Sequence, residues 1–364
     1  MKILFASITD SGILRVRSEL INQLLMHGNE VVVVTPQDKD YQKLIDMGCR
    51  FIPLDIQRTG MNPFSDISVY NMYKKILQIE RPNFVLLFTT KPNIYCGMAC
   101  RKLNIPTVMN ITGMGLALGK KGILQYLLVR MYSRACNGKN MKKIFFQNDD
   151  SLQFFRTHKI GKEDIYERIP GSGVNLDKFL FQEFPESDTV DFLFVARVMK
   201  EKGIDEYIEA ARNIKKTHSN AVFHVLGECN EEYKTIVDEE TKRGNIVYHG
   251  RVNNILDYEK ISQCTIQPSY YPEGMSNVIL EAAASGRPVI TTDHPGCREG
   301  VDDGVSGFIV PIKDAKTLEQ SIEKILAMTL EERKEMGKRG REKMEREFDR
   351  NIVTKAYLNV LSCL

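Results

Sequence analysis

Ile169-Pro170-Gly171-Ser172-Gly173 closes one series of strands and helices, and Phe192-Leu193-Phe194-Val195-Ala196 begins a second. Proline and glycine in such density oppose both helix and strand, and few contacts need to cross such a stretch, so it reads as an interdomain linker. Before it, apolar runs at 3–6, 31–35, 84–88 and 107–111 alternate with helix-period segments at 15–26 and 67–79. The first of these helices carries Val16, Leu20 and Leu24 on one stripe and stops at Gly28, a residue suited to the left-handed position after a helix. Runs 31–34 and 85–87 contain almost nothing polar, so both sheet faces need cover, as the helical crossovers of a parallel sheet provide. After the linker, strands are expected at 192–196, 222–226, 246–248, 265–267 and 289–291, with helices beginning near Gly203, Glu231, Ile255 and Met275. The expectation is an α/β protein of two Rossmann-like parallel domains facing across a cleft, spanning residues 1–170 and 171–349.

Composition narrows the function. At 364 residues the chain is too long for one ordinary core. Its 43% hydrophobic and 27% charged residues, free of low-complexity tracts or solenoid repeats, are those of a globular protein. A net charge of +3 falls short of the basic footprint of a nucleic-acid binder. Met1-Lys2-Ile3-Leu4-Phe5-Ala6 is too short for the apolar core of a signal peptide and reads as a first strand. No run approaches the roughly 20 apolar residues that cross a bilayer. The eight cysteines form no Cys-x-x-Cys pair, which favours buried thiols in a reducing cytoplasm. Cys96 and Cys100 stand one helical turn apart, but no nearby His or Cys completes a ligand set, so no metal site is expected.

The chemistry concentrates in Glu273-Gly274-Met275-Ser276-Asn277-Val278-Ile279-Leu280-Glu281. Pro272 and Gly274 oppose regular structure and 275–285 is an alanine-rich helical pattern, so Glu273 belongs before the helix and Glu281 inside it. Backbone amides of Gly274, Met275, Ser276 and Asn277 then point at an anion, because the first N–H groups of a helix lack intrahelical partners. Two acids at this spacing are more often merely solvated, so the neighbours decide. Arg197 follows the strand that opens the second series and Lys202 begins the next helix. Together they suit a diphosphate, the arginine as a donor fork and the lysine as a compact charge. Lys200 reads as solvated. Gly12, in Asp10-Ser11-Gly12 after the first strand, allows a close backbone approach, but with no G-x-G-x-x-G fingerprint a dinucleotide cofactor is unsupported.

Ala196-Arg197, Lys202-Gly203, His249-Gly250-Arg251-Val252, Glu273-Gly274 through Glu281-Ala282 and Gly286-Arg287-Pro288-Val289-Ile290, taken in order, closely resemble the family 4 retaining glycosyltransferases of the GT-B fold. Asp293-His294-Pro295-Gly296-Cys297-Arg298-Glu299 and 303–311 resemble the family's later loops, so the likeness covers essentially the whole chain. The resemblance implies that Glu281 holds the nucleotide ribose, that Glu273 lies near the transferred sugar, and that Arg197 and Lys202 grip the diphosphate. It further implies that Arg251 and the 274–277 segment touch the donor, with Gly12 on the opposing wall. It implies that the terminal helix, 350–364, returns to the first domain through Ile352, Tyr357 and Leu361. It also implies that no cofactor or metal is required, the basic pair supplying the charge neutralisation, and that the acceptor attacks on the face the phosphate leaves. Many relatives carry a histidine near the reacting sugar. The matching stretch here, Asn110-Ile111-Thr112-Gly113-Met114-Gly115, has none, and Asn110, Thr112 and Gly113 are left to serve the acceptor side.

Residues 119–146 hold Lys120, Lys121, Arg130, Arg134, Lys139, Lys142 and Lys143 with no Asp or Glu, interleaved with Ile123, Leu124, Tyr126 and Leu127. This reads as a basic amphipathic helix with flanks that rests on anionic lipid. The sum is an enzyme on the cytoplasmic side of the plasma membrane, peripheral to it. It is expected to move a hexose or N-acetylhexosamine from a UDP-sugar to a polyprenyl-diphosphate-linked saccharide during assembly of a surface polysaccharide such as capsule or O-antigen. A sugar-nucleotide epimerase and a non-catalytic binding subunit of the same fold are the rivals.

Overall fold

The computed structural model describes residues 1–56, 63–113, 115, 122–252 and 254–362. Met114 and residues 119–121, named above, lie outside them. The chain separates into two compact units, Met1–Ser172 with Ile352–Leu364, and Gly173–Asn351.

In the first unit, β1 (Lys2–Ala6), β2 (Glu30–Thr35), β3 (Arg50–Pro53), β4 (Phe84–Phe88), β5 (Thr107–Ile111), β6 (Met141–Phe146) and β7 (Tyr166–Arg168) form one parallel sheet. Its order is β3-β2-β1-β4-β5-β6-β7. Side chains alternate across the sheet. Leu4, Ala6, Val32 and Val34 enter one core, with Tyr73, Ala99 and Tyr132 from the helices above them. Ile3, Phe5, Val31 and Val33 enter the other, with Leu20 and Leu24. Strands so apolar on both faces need this double cover.

The second unit repeats the plan with β8 (Val190–Val195), β9 (Ala221–Leu226), β10 (Val247–Gly250), β11 (Cys264–Gln267), β12 (Val289–Thr292) and β13 (Gly307–Val310). Their order is β10-β9-β8-β11-β12-β13, all parallel. Strand order reverses between β1 and β4 in one sheet and between β8 and β11 in the other. Ligands of such sheets bind outside the carboxyl ends of the strands at this reversal.

Several expectations change. Between 119 and 146 the expected helix is Ile123–Cys136, but its C-terminal flank, expected to rest on lipid, contains the interior strand β6, Met141–Phe146. Lys143 on that strand pairs with Glu167 of the neighbouring β7 at 3.0 Å, both side chains half-exposed, so that charge already has a partner on the sheet. The terminal helix, Arg350–Ser362, does pack into the first unit's second core, but through Val353, Tyr357 and Leu361. Ile352 is 41% exposed and takes no part in that core.

The two chain crossings are fastened side by side. Val174 donates its N–H to the Phe348 carbonyl at 2.8 Å and accepts from the Arg350 N–H at 3.0 Å. Arg350 also donates Nε to the Gly173 carbonyl at 3.3 Å. Gly173 has φ +65°, and a Cβ there would run into the Arg350 backbone. Gly173→Ala therefore carries both the left-handed penalty and an overlap with main chain, and should destabilise the protein by more than about 1 kcal/mol. Equilibrium urea denaturation checks this, and an unchanged midpoint would refute the packing account.

Candidate active site

The second unit's reversal point lies between β8 and β11, and the segments leaving these strands are stitched together. After β8 the chain passes Ala196 and Arg197 into the turn Lys200–Lys202, then Gly203 and the helix Ile204–Ile214. Gly203 has φ +79°, and a Cβ on it would overlap the Pro268 carbonyl just past β11. Only glycine lets the two segments approach this closely. Tyr270 N–H then donates to the Glu201 carbonyl at 2.9 Å, and Ser269 Oγ donates to the same carbonyl at 3.3 Å.

This stitching puts Lys202 Nζ on the Glu273 carboxylate and over the Tyr271 ring, 5.0 Å from its centroid. Lys202 is only 8% exposed. Burial pushes its ammonium down to about 8, and the Arg197 charge presses the same way, whereas contact with Glu273 favours the charged form. The structure thus brings together three predicted residues, Lys202, Glu273 and Arg197.

Beyond Glu273, the buried segment Gly274-Met275-Ser276 runs into the helix Asn277–Ala284. Ser276 occupies the N-cap without a side-chain cap, so the first-turn amides take nothing from its hydroxyl. Ser276 N–H instead donates to the Gly296 carbonyl at 2.7 Å, and a Cβ on Gly296 would sit 3.0 Å from the carbonyl oxygens of Glu273 and Gly274. The Asp293–Glu299 loop thereby braces the Glu273-Gly274 backbone, and Gly296 N–H is itself held by Glu299 Oε2 at 2.9 Å. Glu281 lies one turn into the helix, 3% exposed. Its charge helps raise the Glu259 carboxyl to about 7, a shift caused mainly by burial. Arg251 follows β10 at the sheet edge and is exposed, as is Arg197.

A buried polar chain crosses β8, β9 and β10. Asp191 Oδ1 lies 2.8 Å from His224 Nε2, and His224 Nδ1 lies 2.9 Å from His249 Nε2. Tyr258 stands edge-on to His249 with centroids 4.7 Å apart. Burial, and then His224, hold the His249 imidazole below its usual range, so His249 enters the chain neutral. The sequence marks His249 by its place before Gly250-Arg251, but its partners are visible only once three strands lie side by side.

In the first unit the predicted residues fare unevenly. Gly12 N–H donates to Thr9 Oγ1 at 3.1 Å, and a Cβ on Gly12 would overlap that oxygen, so glycine here serves the N-cap of the helix Asp10–Met26. Thr112 and Gly113 are half-buried beyond β5, Gly113 at φ +122°. Asn110 has a structural role as well: it is fully buried, donates Nδ2 to the Tyr357 hydroxyl of the terminal helix, and gives its carbonyl to Asn93 Nδ2 at 2.9 Å, while its Oδ1 makes no hydrogen bond within the protein. It fastens the helix to the sheet. Two residues went unnoticed in the sequence. Asp10 is fully buried and its Oδ2 accepts N–H from Asp38 at 3.0 Å and Asp40 at 3.1 Å, setting the loop after β2. Thr89, at the carboxyl end of β4, is a β-branched residue held at φ +71°, the kind of local strain that collects at ligand sites.

Known proteins agree with this architecture. Residues 2–148 match the model described as Glycosyl transferase 4-like, and residues 177–343 match Glycosyl transferases group 1. The chain is 26% identical, over 99% of its length and 98% of the relative's, to the N,N'-diacetylbacillosaminyl-diphospho-undecaprenol alpha-1,3-N-acetylgalactosaminyltransferase of Campylobacter jejuni subsp. jejuni serotype O:2. It is 31% identical, over 44% of its length and 42% of the relative's, to the capsular polysaccharide biosynthesis glycosyltransferase CapM of Staphylococcus aureus. Among solved structures, a glycosyltransferase of Rickettsia africae ESF-5 superposes with a TM-score of 0.81 at 19% identity, covering 99% of this chain and 97% of that one. The Anabaena protein HepE, in complex with UDP and glucose, gives 0.80 at 16% identity with both chains fully covered.

Under a diphosphate-gripping role for Lys202, its burial makes anion binding pH-dependent. A bound diphosphate favours the ammonium and raises its pKa above the free value near 8. Affinity for UDP should therefore be constant below pH 7 and fall by up to tenfold per unit above about 8, until the pKa of the complex is reached. Calorimetric titration of UDP between pH 6.5 and 9.5 checks this. An affinity that stays level through that range, or a fall that survives Lys202→Met, counts against the assignment.

Proposed function

We propose, for a chain that belongs to the group 1 and family 4-like glycosyltransferases of GT-B fold, a retaining transfer of a hexose or N-acetylhexosamine from a UDP-sugar to a polyprenyl-diphosphate-linked saccharide. The observation that carries the reading is the buried Lys202–Glu273 pair at the β8–β11 reversal, set against a helix start without a side-chain cap. In the reaction, Arg197 and Lys202 take the diphosphate and offset the negative charge that grows as the bond between the sugar carbon and the phosphate oxygen breaks. Amides of the 274–277 segment other than Ser276, whose N–H is taken by the Gly296 carbonyl, hold the β-phosphate and sugar, Glu273 stands by the sugar, and Glu281 accepts from the ribose hydroxyls. Arg251, at the end of β10, completes the donor wall. The acceptor hydroxyl attacks from the side the phosphate leaves and passes its proton to the departing oxygen, so no metal or other cofactor is required.

The relative from Campylobacter jejuni, an N-acetylgalactosaminyltransferase acting on a diphospho-undecaprenol-linked sugar, supports the lipid-linked acceptor, and the capsule relative supports surface polysaccharide assembly. Among the described residues no helix is long and apolar enough to cross a membrane. A peripheral place on the cytoplasmic face of the plasma membrane is supported by the helix Ile123–Cys136, where Ile123, Tyr126 and Leu127 are exposed beside Arg130.

Product analysis tests the reaction. Incubation with a panel of radiolabelled nucleotide sugars and a lipid-linked saccharide should move label into the lipid fraction with the anomeric configuration of the donor. Isomerised sugar nucleotide without transfer would mean an epimerase, and binding without turnover a non-catalytic subunit. Glu273→Gln and Lys202→Ala should each lower turnover by more than about a hundredfold, the scale of losing one transition-state electrostatic contact. Near-normal turnover in a folded variant would refute that role for the residue.

A further inference from the structure

An open groove of about 660 Å³ in the first unit lies among the helices Pro63–Glu80, Gly97–Leu103 and Ile123–Cys136, lined mainly by Ile67, Tyr70, Met98, Leu124, Leu127 and Met131. Its rim is apolar and wet: Ile67 is 62% exposed, Leu127 46% and Leu124 43%. Apolar surface gathered into one concavity marks a ligand or partner site, and this volume falls within the roughly 300–1,000 Å³ of small-molecule pockets. None of the donor-binding residues lies in this unit except Gly12, which is taken up by its helix cap.

One carboxylate stands in the lining, Asp66, which is 5% exposed and paired. Lys91 Nζ lies 3.5 Å from Asp66 Oδ1, and the Tyr95 hydroxyl bonds to the same carboxyl. What remains is a hydrocarbon trough whose methionines, unbranched and adaptable, follow an irregular apolar chain better than a rigid ring. Its borders are cationic. Arg130 and Arg134 are exposed on the helix Ile123–Cys136, Arg130 resting on Tyr126 with its guanidinium 5.7 Å from the ring centroid. No acidic residue occurs from Gly122 to Asn148. A long apolar chain ending in a diphosphate matches both features, apolar in the trough and anionic at the arginines.

We infer that this groove takes the polyprenyl tail of the lipid-linked acceptor, an inference that rests on the acceptor class proposed above. The tail then contributes to recognition through a defined site on the protein, in addition to placing the acceptor in a membrane.

The test uses the full chain in detergent with a polyprenyl diphosphate that carries a diazirine in its tail. Irradiation and peptide mapping should label the 92–103 and 123–136 segments, and Met98→Trp, which fills the trough, should lower the yield there at least tenfold. Leu127→Asp, at an exposed rim position, should do the same, and melting curves establish that both variants remain folded. Label scattered over other surfaces, or a yield unchanged in both folded variants, overturns the inference. So does label that appears only with anionic vesicles and ignores Met98→Trp, the mark of simple bilayer adhesion. The acceptor class stands separately on label transfer by the wild type. Transfer without groove labelling sinks the groove alone, whereas groove labelling lost in both variants upholds it even where no sugar is transferred.

Discussion

An ammonium removed from water loses several kcal/mol of solvation, and removing one partner from a buried pair costs on the order of 3–5 kcal/mol. Lys202 is in that position, and the second unit is arranged around keeping it there. Glycine at 203 lets the turn press on the Pro268 carbonyl, the Glu201 carbonyl gathers Ser269 and Tyr270, and Glu273 and the Tyr271 ring close over the amine. Each of these contacts joins the segment after β8 to the segment after β11. Holding one charge in a dry place therefore ties the two segments together at the reversal point of the sheet, and under the proposed function a diphosphate arriving there meets a cation already stripped of most of its water.

The same dependence explains the ordering of the loops beyond. Glu273 cannot meet the lysine unless its backbone is held, and Gly296 supplies that support at a distance only glycine permits. The helix Asn277–Ala284 then starts at a fixed place, with Glu281 buried on its far side near Glu259. Glu259 hydrogen-bonds Ser285, and its carbonyl receives the buried Arg287, whose remaining donors hold the Gln182 and Glu183 carbonyls. Cation, loop and helix form one rigid course of structure, which is what electrostatic catalysis requires of its donors.

What the sequence disclosed follows from locality. Strands such as β2 and β4 are unbroken apolar runs, because parallel strands are buried on both faces, and such runs can be read without knowing their neighbours. The Lys202 and Glu273 segments were legible because glycine, proline and charge stand close together in each. β6 was not, since Lys142 and Lys143 interrupt it and the basic helix just before it suggested continuity. The structural role of Asn110 was hidden for a different reason: its partner Tyr357 is 247 residues away, and nothing local announces an asparagine that pins a helix. The Asp191–His224–His249 chain is likewise a product of strand order, invisible until β8, β9 and β10 are adjacent.

Asn110 bears on the chemistry as well as the fold. It lies in the stretch 110–115 where the resemblance would put a histidine beside the reacting sugar, and an amide is not basic enough to take a proton. Under the proposed transfer the acceptor hydroxyl must then give its proton to the oxygen that leaves with the diphosphate. That oxygen has to be stabilised enough to depart and basic enough to accept. A lysine whose ammonium burial brings down to about 8 still carries its charge at neutral pH and so meets the first demand; the second is a property of the phosphate oxygen itself. Under that proposal, with no histidine or carboxylate in the stretch 110–115, the reaction depends on how Arg197 and Lys202 hold the departing phosphate.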